Sequence, residues 1–508
     1  MFREGGFGVA LSRFKRVRQE SLWVPAAEVR MPPAHRFYEA LNGLLREAGF
    51  DERVEGVCAA YYEPAGTPGR PSVAPGVYFR MLLVGYFEGI ESERGICWRC
   101  ADSLSLRSFL GLSLTDRVPD HSSLSRIRAR LPDSVFDMVF TLVLGVVRER
   151  GLLRGEVLGV DSTYLRADAS MKGIERRDTG EDYGEFIQRL AREAGVEGAS
   201  AEDARRFDRS RRGKRVSNGE WLSPVDADAR IARLKDGRTR LAYKPEHVVD
   251  LASGALVAVE VHSADRADSA TLAATLAAAR AQLQRAGGDS AADANDDDRQ
   301  RDGGQHDGGR GGEGGGGVRR DAAAPIRLVA DKGYHKASVL RDLNDGGYRT
   351  IIPEPRRAGR RRWVGKGGRA TARAYYLNRQ RVRRPLGKRW LRSRGEKLER
   401  SFAHTCESGA ARRSRLRGLR NVRKRYLITG AAFNLALVLR RLLGAGTPRG
   451  LAERTKALRG TLASALARLA GATTQPSFPT AAHRNRRQPR VTHHPTTPST
   501  AISAAGTP

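Results

Sequence analysis

Three acidic residues stand out for where they fall. Val157-Leu158-Gly159-Val160-Asp161-Ser162-Thr163-Tyr164-Leu165 reads as a strand with a carboxylate in it, and Ile326-Arg327-Leu328-Val329-Ala330-Asp331 as a second strand that ends in one. A lone carboxylate in a strand is commonly a satisfied structural group. Two strands that each deliver one change the reading, because functional residues of open α/β sheets gather at the carboxyl ends of strands. If these strands are neighbours, Asp161 and Asp331 face one site. Glu399, in Gly395-Glu-Lys-Leu-Glu-Arg-Ser-Phe-Ala-His404, would add a third carboxylate from a packed helix. Converged oxygens of this kind can ligate a hard cation.

The elements that must position them follow from periodicity and punctuation. Residues 1–30 read as an extended arm. Over 31–151 the pattern is helical: Phe37, Leu41, Leu44 and Leu45 share a face, and Pro75 opens a second helix. Short helices are predicted over Leu104–Leu110 and Leu124–Leu131, the latter capped by Asp120 or Ser122, followed by an apolar helix from Ser134 to Arg150. The two short helices, the second bearing Arg126, Arg128 and Arg130, suit either a helix-turn-helix-like DNA contact or an ordinary bundle with a basic surface. Beyond Gly151 strands appear. His247–Leu251 and Leu256–Val261 flank Ser253-Gly254 as a hairpin, Ala267–Arg285 is an Ala/Leu helix, and Tyr348–Ile352 is a strand stopped by Pro353. Residues 287–320, rich in Gly and Asp, are expected to be a disordered insert. Helices are predicted near 396–404 and 422–443, and 446–508 as a basic, largely disordered tail. The fold class expected is α/β: a helical N-terminal domain over 31–151, then a mixed sheet flanked by helices over 152–445.

Composition sets limits on partners. The 508 residues carry 90 Lys and Arg against 57 Asp and Glu, a formal charge of +33, and 40% are hydrophobic. Wholesale disorder is excluded, and a polyanion is the simplest partner. The charge is uneven: 351–450 holds 29 Lys and Arg and only Glu354, Glu396, Glu399 and Glu407. Four cysteines are too few for a disulfide scaffold, the opening residues lack a signal-peptide core, and the longest apolar run, near Val139–Val147, is too short to span a bilayer. A cytoplasmic protein without membrane contact is expected.

Several stretches together carry a resemblance. They include Pro119-Asp-His-Ser-Ser-Leu-Ser-Arg126, Gly159-Val-Asp-Ser-Thr163, Tyr243-Lys-Pro-Glu-His247, Ala330-Asp-Lys-Gly-Tyr334, Glu399-Arg-Ser-Phe-Ala-His404 and Leu416-Arg-Gly-Leu-Arg-Asn-Val-Arg-Lys424. In order and spacing the chain resembles the DDE-type transposases of bacterial insertion sequences, over roughly 15–285 and 325–445. The resemblance implies an RNase H-like catalytic domain. It places the family's two Asp on Asp161 and Asp331 and its Glu on Glu399, as catalytic residues and ligands of two Mg²⁺ ions, for which Mn²⁺ can substitute. Two ions of this kind activate an attacking oxygen and stabilise the leaving one. Implied too are cleavage and strand transfer at terminal inverted repeats, double-stranded DNA as partner, a homodimer on DNA, and a nucleoid-associated location. The alternative is a catalytically decayed or repurposed DNA-binding protein. The related pattern of Tyr seven before the Glu, Arg four before and Lys seven after is not kept; Arg392, Gly395 and Cys406 stand there. Arg394 and Arg400 are the candidates to stand in.

DNA contacts are expected from Arg126, Arg128, Arg130, Lys332 and Arg400, and from Arg412, Arg413, Arg417, Arg420, Arg423 and Lys424 as a group. Other motifs have plainer readings. Cys97-Trp-Arg-Cys100 lacks a second ligand pair at zinc spacing and reads as small residues on a helix face. Asp168 lies beyond the strand of Asp161, and Asp250 reads as a turn residue. Glu246-His247 is either an edge-strand polar pair or a neighbour of the site.

Overall fold

The computed structural model describes residues 35–63, 72–196, 200–212, 216–234, 236–299, 325–356, 363 and 367–472. The arm expected over 1–30, residues 300–320 of the insert and the tail beyond 472 lie outside the described residues, whereas 287–299 and 448–472, expected to be disordered, are helical. Two compact units are present, Met1–Arg454 and Thr455–Pro508. The first contains everything discussed below except the latter part of the last helix.

Among the described residues the first α-helices are α1 (Arg36–Glu47), α2 (Phe50–Cys58), α3 (Pro75–Phe87), α4 (Glu93–Ala101), α5 (Leu104–Phe109), α6 (His121–Arg130) and α7 (Asp133–Glu149). Their boundaries have local causes. Asp120 caps α6 by accepting from Ser123 N at 2.7 Å, as its sequence position suggests. Ser92 and Ser103 do the same for α4 and α5. Gly151, at φ 67°, ends α7 where the chain needs the left-handed region.

Among the described residues the strands follow with the remaining helices: β1 (Val157–Ser162), β2 (Leu165–Arg166), β3 (Glu175–Arg176), α8 (Tyr183–Glu193), α9 (Ala201–Ser210), β4 (Trp221–Leu222), β5 (Arg230–Arg233), β6 (Thr239–Asp250), β7 (Leu256–Ser263), α10 (Asp268–Arg299), β8 (Arg327–Val329), α11 (Ala337–Asp345), β9 (Arg349–Ile351), α12 (Gly368–Arg383), α13 (Pro385–Ala403), α14 (Leu419–Leu443) and α15 (Pro448–Ala472). The chain is mixed α/β. In the main sheet β7, β6 and β1 are antiparallel neighbours, and β1, β8 and β9 continue in parallel. The predicted hairpin is β6–β7, but β6 starts at Thr239, well before His247. Lys244 and Glu246 break the apolar pattern there, yet both side chains are buried with partners inside the fold.

Alternation along β1 decides what faces what. Leu158 and Val160 pack with Leu272 and Leu276 of α10 and Leu340 of α11. Val157 points the other way, toward Trp390 and Leu391 of α13. Residues on both sides of position 151 share one core: Phe136, Val139, Phe140 and Val143 of α7 join Val259 of β7 and Leu427, Ile428, Ala431 and Leu435 of α14. Burying a Val, Leu or Phe side chain fully contributes about 1.5–3 kcal/mol, so this seam dominates the packing. The stretch Leu419–Ala467 is long and apolar enough to cross a membrane by length and composition. Its α14 part is instead a core helix, with Leu427, Ala431, Leu435 and Leu439 at 0–1% exposure.

Candidate active site

Asp161 and Asp331 come to adjacent strand ends. β1 and β8 pair in parallel with Val157 opposite Arg327, Leu158 opposite Leu328 and Gly159 opposite Val329. Asp161 and Asp331 each stand two residues beyond the last paired position of that ladder, at the carboxyl ends of the two strands. Asp331 heads a single turn of 3-10 helix, Lys332–Tyr334, and accepts from Gly333 N at 2.7 Å.

Alternation turns Asp161 toward α13. There Arg394 Nη2 lies 2.7 Å from Asp161 Oδ2, and Arg394 Nε and Nη2 each stand 3.3 Å from the Val160 carbonyl oxygen. Asp161 Oδ1 also accepts from Ser162 N at 2.9 Å. α13 is held to the sheet at this level. Leu251 and Leu398 together fill the space above Gly159. His247, paired across the ladder with Asp161, meets Ser401 Oγ at 3.0 Å through Nδ1 and Tyr426 OH at 2.9 Å through Nε2. The Phe402 ring stacks on it at 4.1 Å. Burial pushes the His247 pKa down to about 3, so the ring is a neutral clamp between β6, α13 and α14 and not a proton donor.

The other face of β1 carries a second polar group. Asp268, at the start of α10, accepts from Ser162 Oγ at 2.9 Å and from Lys244 Nζ at 3.1 Å. A Cβ at position 333 would lie 2.7 Å from Asp268 Oδ2 and 3.0 Å from Asp331 Oδ1. Asp268 therefore stands beside the Asp331 turn, held by the strand that carries Asp161. Behind them Glu246, wholly buried, accepts from Tyr334 OH at 2.5 Å and from Thr271 Oγ1 at 3.2 Å, with Thr275 and His262 completing its shell. Burial raises the Glu246 pKa, but the bonds from His262, Thr275 and Tyr334 outweigh it and leave a net lowering. In sequence, Asp268 reads only as an acidic residue at a helix start.

Glu399 is placed differently. The face of α13 on the sheet is formed by Leu391, Arg394, Leu398 and Ser401, whereas Arg389, Arg392, Glu396 and Glu399 follow one another at helical spacing on the exposed side. Among the described residues no three His, Cys, Asp or Glu side chains are grouped to hold a metal ion. The structure brings Asp161 and Asp331 together and leaves Glu399 on the outer surface of the helix that crosses them. The donor chemistry of the pair still fits a hard divalent ion, oxygen ligands only, and the Arg394 guanidinium supplies the positive charge beside Asp161.

The predicted basic contacts divide. Lys332 is exposed at the Asp331 turn. Arg126 and Arg130 are exposed on α6, Arg130 over the Tyr62 ring at 4.8 Å. Arg128 is not available, because it is ion-paired with Glu93 in a partly buried contact. Arg423 bridges Asp137 at 2.9 Å and Glu260 at 2.8 Å. Lys424, 1% exposed, donates to the Arg128 carbonyl at 2.9 Å and the Leu131 carbonyl at 2.6 Å, closing the end of α6. These three hold helices together and correct the expectation that they touch DNA. Arg400, Arg412, Arg413, Arg417 and Arg420 are more open but paired, with Glu396, Glu407, Asp168, Asp168 and Asp133 respectively. Asp168 is thus an ion-pair partner. Asp250 is a turn residue, accepting from Arg154 N at 2.6 Å and Ala252 N at 2.8 Å. Cys97 and Cys100 are buried, and burial pushes their thiols up to about 11 and about 12.

No curated protein and no solved structure matches this chain significantly. A family model does: residues 26–130, the segment of α1 to α6, match the model described as a transposase domain (DUF772). That similarity supports a transposase, with DNA as its partner and transposition as its role.

Proposed function

We propose that the chain is a DDE-type transposase whose sheet is RNase H-like, and that it cleaves and joins DNA strands at the ends of its own element. The observation that carries this is the placement of Asp161 and Asp331 at the carboxyl ends of neighbouring parallel strands. The order of three antiparallel strands continued by two parallel ones, and the helix α13 crossing the strand of Asp161, support the same reading. Asp161 and Asp331 would hold Mg²⁺ or Mn²⁺; Glu399, the third ligand that the resemblance implies, stands apart from them on the outer face of α13. A bound pair of such ions supplies Lewis-acid stabilisation of the attacking and leaving oxygens.

The remaining work falls to the chain itself. Arg394, now on Asp161, is within reach of a non-bridging phosphate oxygen, where its fork would orient the scissile group. Lys332, exposed beside Asp331, adds charge on the phosphate side. The His247 clamp keeps α13, and with it Arg394, at the level of the strand ends. Water attacks first, breaking the phosphodiester and freeing a 3′-hydroxyl. That hydroxyl then attacks a target phosphodiester, so one bond forms for each broken. Action in the cytoplasm on nucleoid DNA, as a dimer joining two element ends, belongs to the same proposal.

Glu399 on the outer face favours a second reading, a decayed DNA-binding protein. Nicking of supercoiled plasmid with Mn²⁺ separates the two. The enzyme nicks as wild type and fails as Asp161→Asn with DNA binding retained. Equal nicking by both proteins, or binding without nicking by either, contradicts catalysis at Asp161.

A further inference from the structure

The richest basic stretch is not the one that the motif pattern singled out. Between Pro355 and Gly395 there are sixteen Lys and Arg and no Asp or Glu. Part of this charge is consumed internally, since Arg379 pairs with Glu354 at 2.6 Å and Arg394 with Asp161. A different fate meets the residues where α12 turns into α13. Arg383, Arg384, Lys388, Arg389 and Arg392 are exposed and Arg381 is half-buried. None of the six has an ion pair to a carboxylate among the described residues, in contrast to Arg412, Arg413, Arg417, Arg420 and Arg423.

Two features make this elbow more than a solvated run. It is rigid: Pro385 starts α13 immediately after α12 ends, and a Cβ at Gly387 would overlap the Arg381 carbonyl, so the turn closes without slack. It is also frustrated by its own charge. Burial first, then the neighbouring Arg349 and Arg384 cations, lower the Arg381 pKa. Like charges gathered on a fixed scaffold cost stability unless a polyanion neutralises them.

We propose that the α12–α13 elbow, through Arg381, Arg383, Arg384, Lys388, Arg389 and Arg392, is a binding surface for the phosphate backbone of duplex DNA leading to Asp161. The proposal rests on the functional reading above for its choice of DNA. From Arg384 to Arg394 is ten helical residues, about 15 Å. At 3.4 Å per step of one strand, that spans about four nucleotides. A duplex with its scissile phosphate at Asp161 therefore has phosphates within reach of the elbow.

The test uses the full chain and a labelled 30-base-pair duplex, with affinity measured by anisotropy from about 0.05 to 0.3 M salt. Arg383, Arg384 and Arg389 are changed together to Gln. In a second variant they are changed together to Lys, and in a third Arg412, Arg417 and Arg420 are changed to Gln. The elbow Gln variant is expected to bind roughly tenfold or more weakly at 0.15 M salt, with a log–log salt slope smaller by about three. The Lys variant keeps the slope, and the paired-arginine variant loses less than about one unit. Wild-type affinity and slope in the elbow Gln variant overturn the proposal, as does a Lys variant that falls as far as the Gln one. Tighter binding of an RNA duplex of equal length overturns the choice of DNA. If elbow-dependent binding holds while plasmid nicking is absent, the surface stands and the enzymatic reading falls. If wild type binds no duplex, both fall.

Discussion

Arg394 Nη2 lies 2.7 Å from Asp161 Oδ2, with the guanidinium 13% and the carboxylate 25% exposed. A cation thus already sits on the carboxylate to which the functional reading assigns a metal ion. The two positive charges compete for one pair of oxygens. Replacing Arg394 by Gln should tighten Mn²⁺ binding, by roughly tenfold on a like-charge argument in a partly screened site, as read by Mn²⁺ electron paramagnetic resonance. Nicking should fall in the same variant, because the phosphate loses its fork. Unchanged or weaker Mn²⁺ binding contradicts the competition.

Stability should depend on pH through His247. Its folded pKa is depressed to about 3 from 6.5. Below pH 6.5 the unfolded chain takes up a proton that the folded ring refuses, so stability falls as pH drops from 6.5 toward 3. The loss from this group is about 2 kcal/mol between pH 8 and pH 5. Urea unfolding at both pH values should show it, and His247→Gln should flatten the dependence. The Gln variant should also cost about 1–2 kcal/mol at pH 8, where the bonds to Ser401 and Tyr426 are lost. Parallel pH curves for the two proteins contradict a neutral buried ring.

A Cβ at Gly333 would crowd the carboxylate oxygens of Asp268 and Asp331, at 2.7 and 3.0 Å, and push them aside. Gly333→Ala should displace the Asp331 carboxylate and lower nicking by roughly a hundredfold, the scale of a 1 Å misplacement. Duplex affinity should change little. Activity retained in Gly333→Ala indicates that the Asp331 turn does not set the reacting geometry.

Lys424 is predicted to matter for folding alone. Its ammonium satisfies two carbonyls at the end of α6, and Lys424→Met should destabilise by roughly 2–4 kcal/mol through orphaned buried acceptors. The salt slope of DNA binding should stay at the wild-type value. A slope smaller by about one unit would instead mark a phosphate contact.

Much of the frame was legible because strong local signals agree with it. The β1 and β8 strands, the 254 turn and the apolar α7 and α14 all announce themselves by period and punctuation. Positions where tertiary partners override pattern were not. α13 begins at Pro385 rather than near 396, since its charged outer face hides the short sheet-facing stripe of Leu391, Leu398 and Ser401. Glu246 and Lys244 look like surface residues until Tyr334, Thr275 and Asp268 meet them from distant elements. Likewise the basic residues of 412–424 look free in sequence, and only the fold brings Asp133, Asp137, Asp168 and Glu260 to them.

The most direct test of the central claim, that Asp161 and Asp331 share one cation, is Fe²⁺-directed hydroxyl-radical cleavage of the protein backbone. Iron bound in place of Mg²⁺ should cut the chain near residues 161 and 331 together, and Asp161→Asn should abolish both cuts. Excess Mg²⁺ should protect both. Cuts at one position only, or a pattern indifferent to Asp161→Asn, would contradict a shared site.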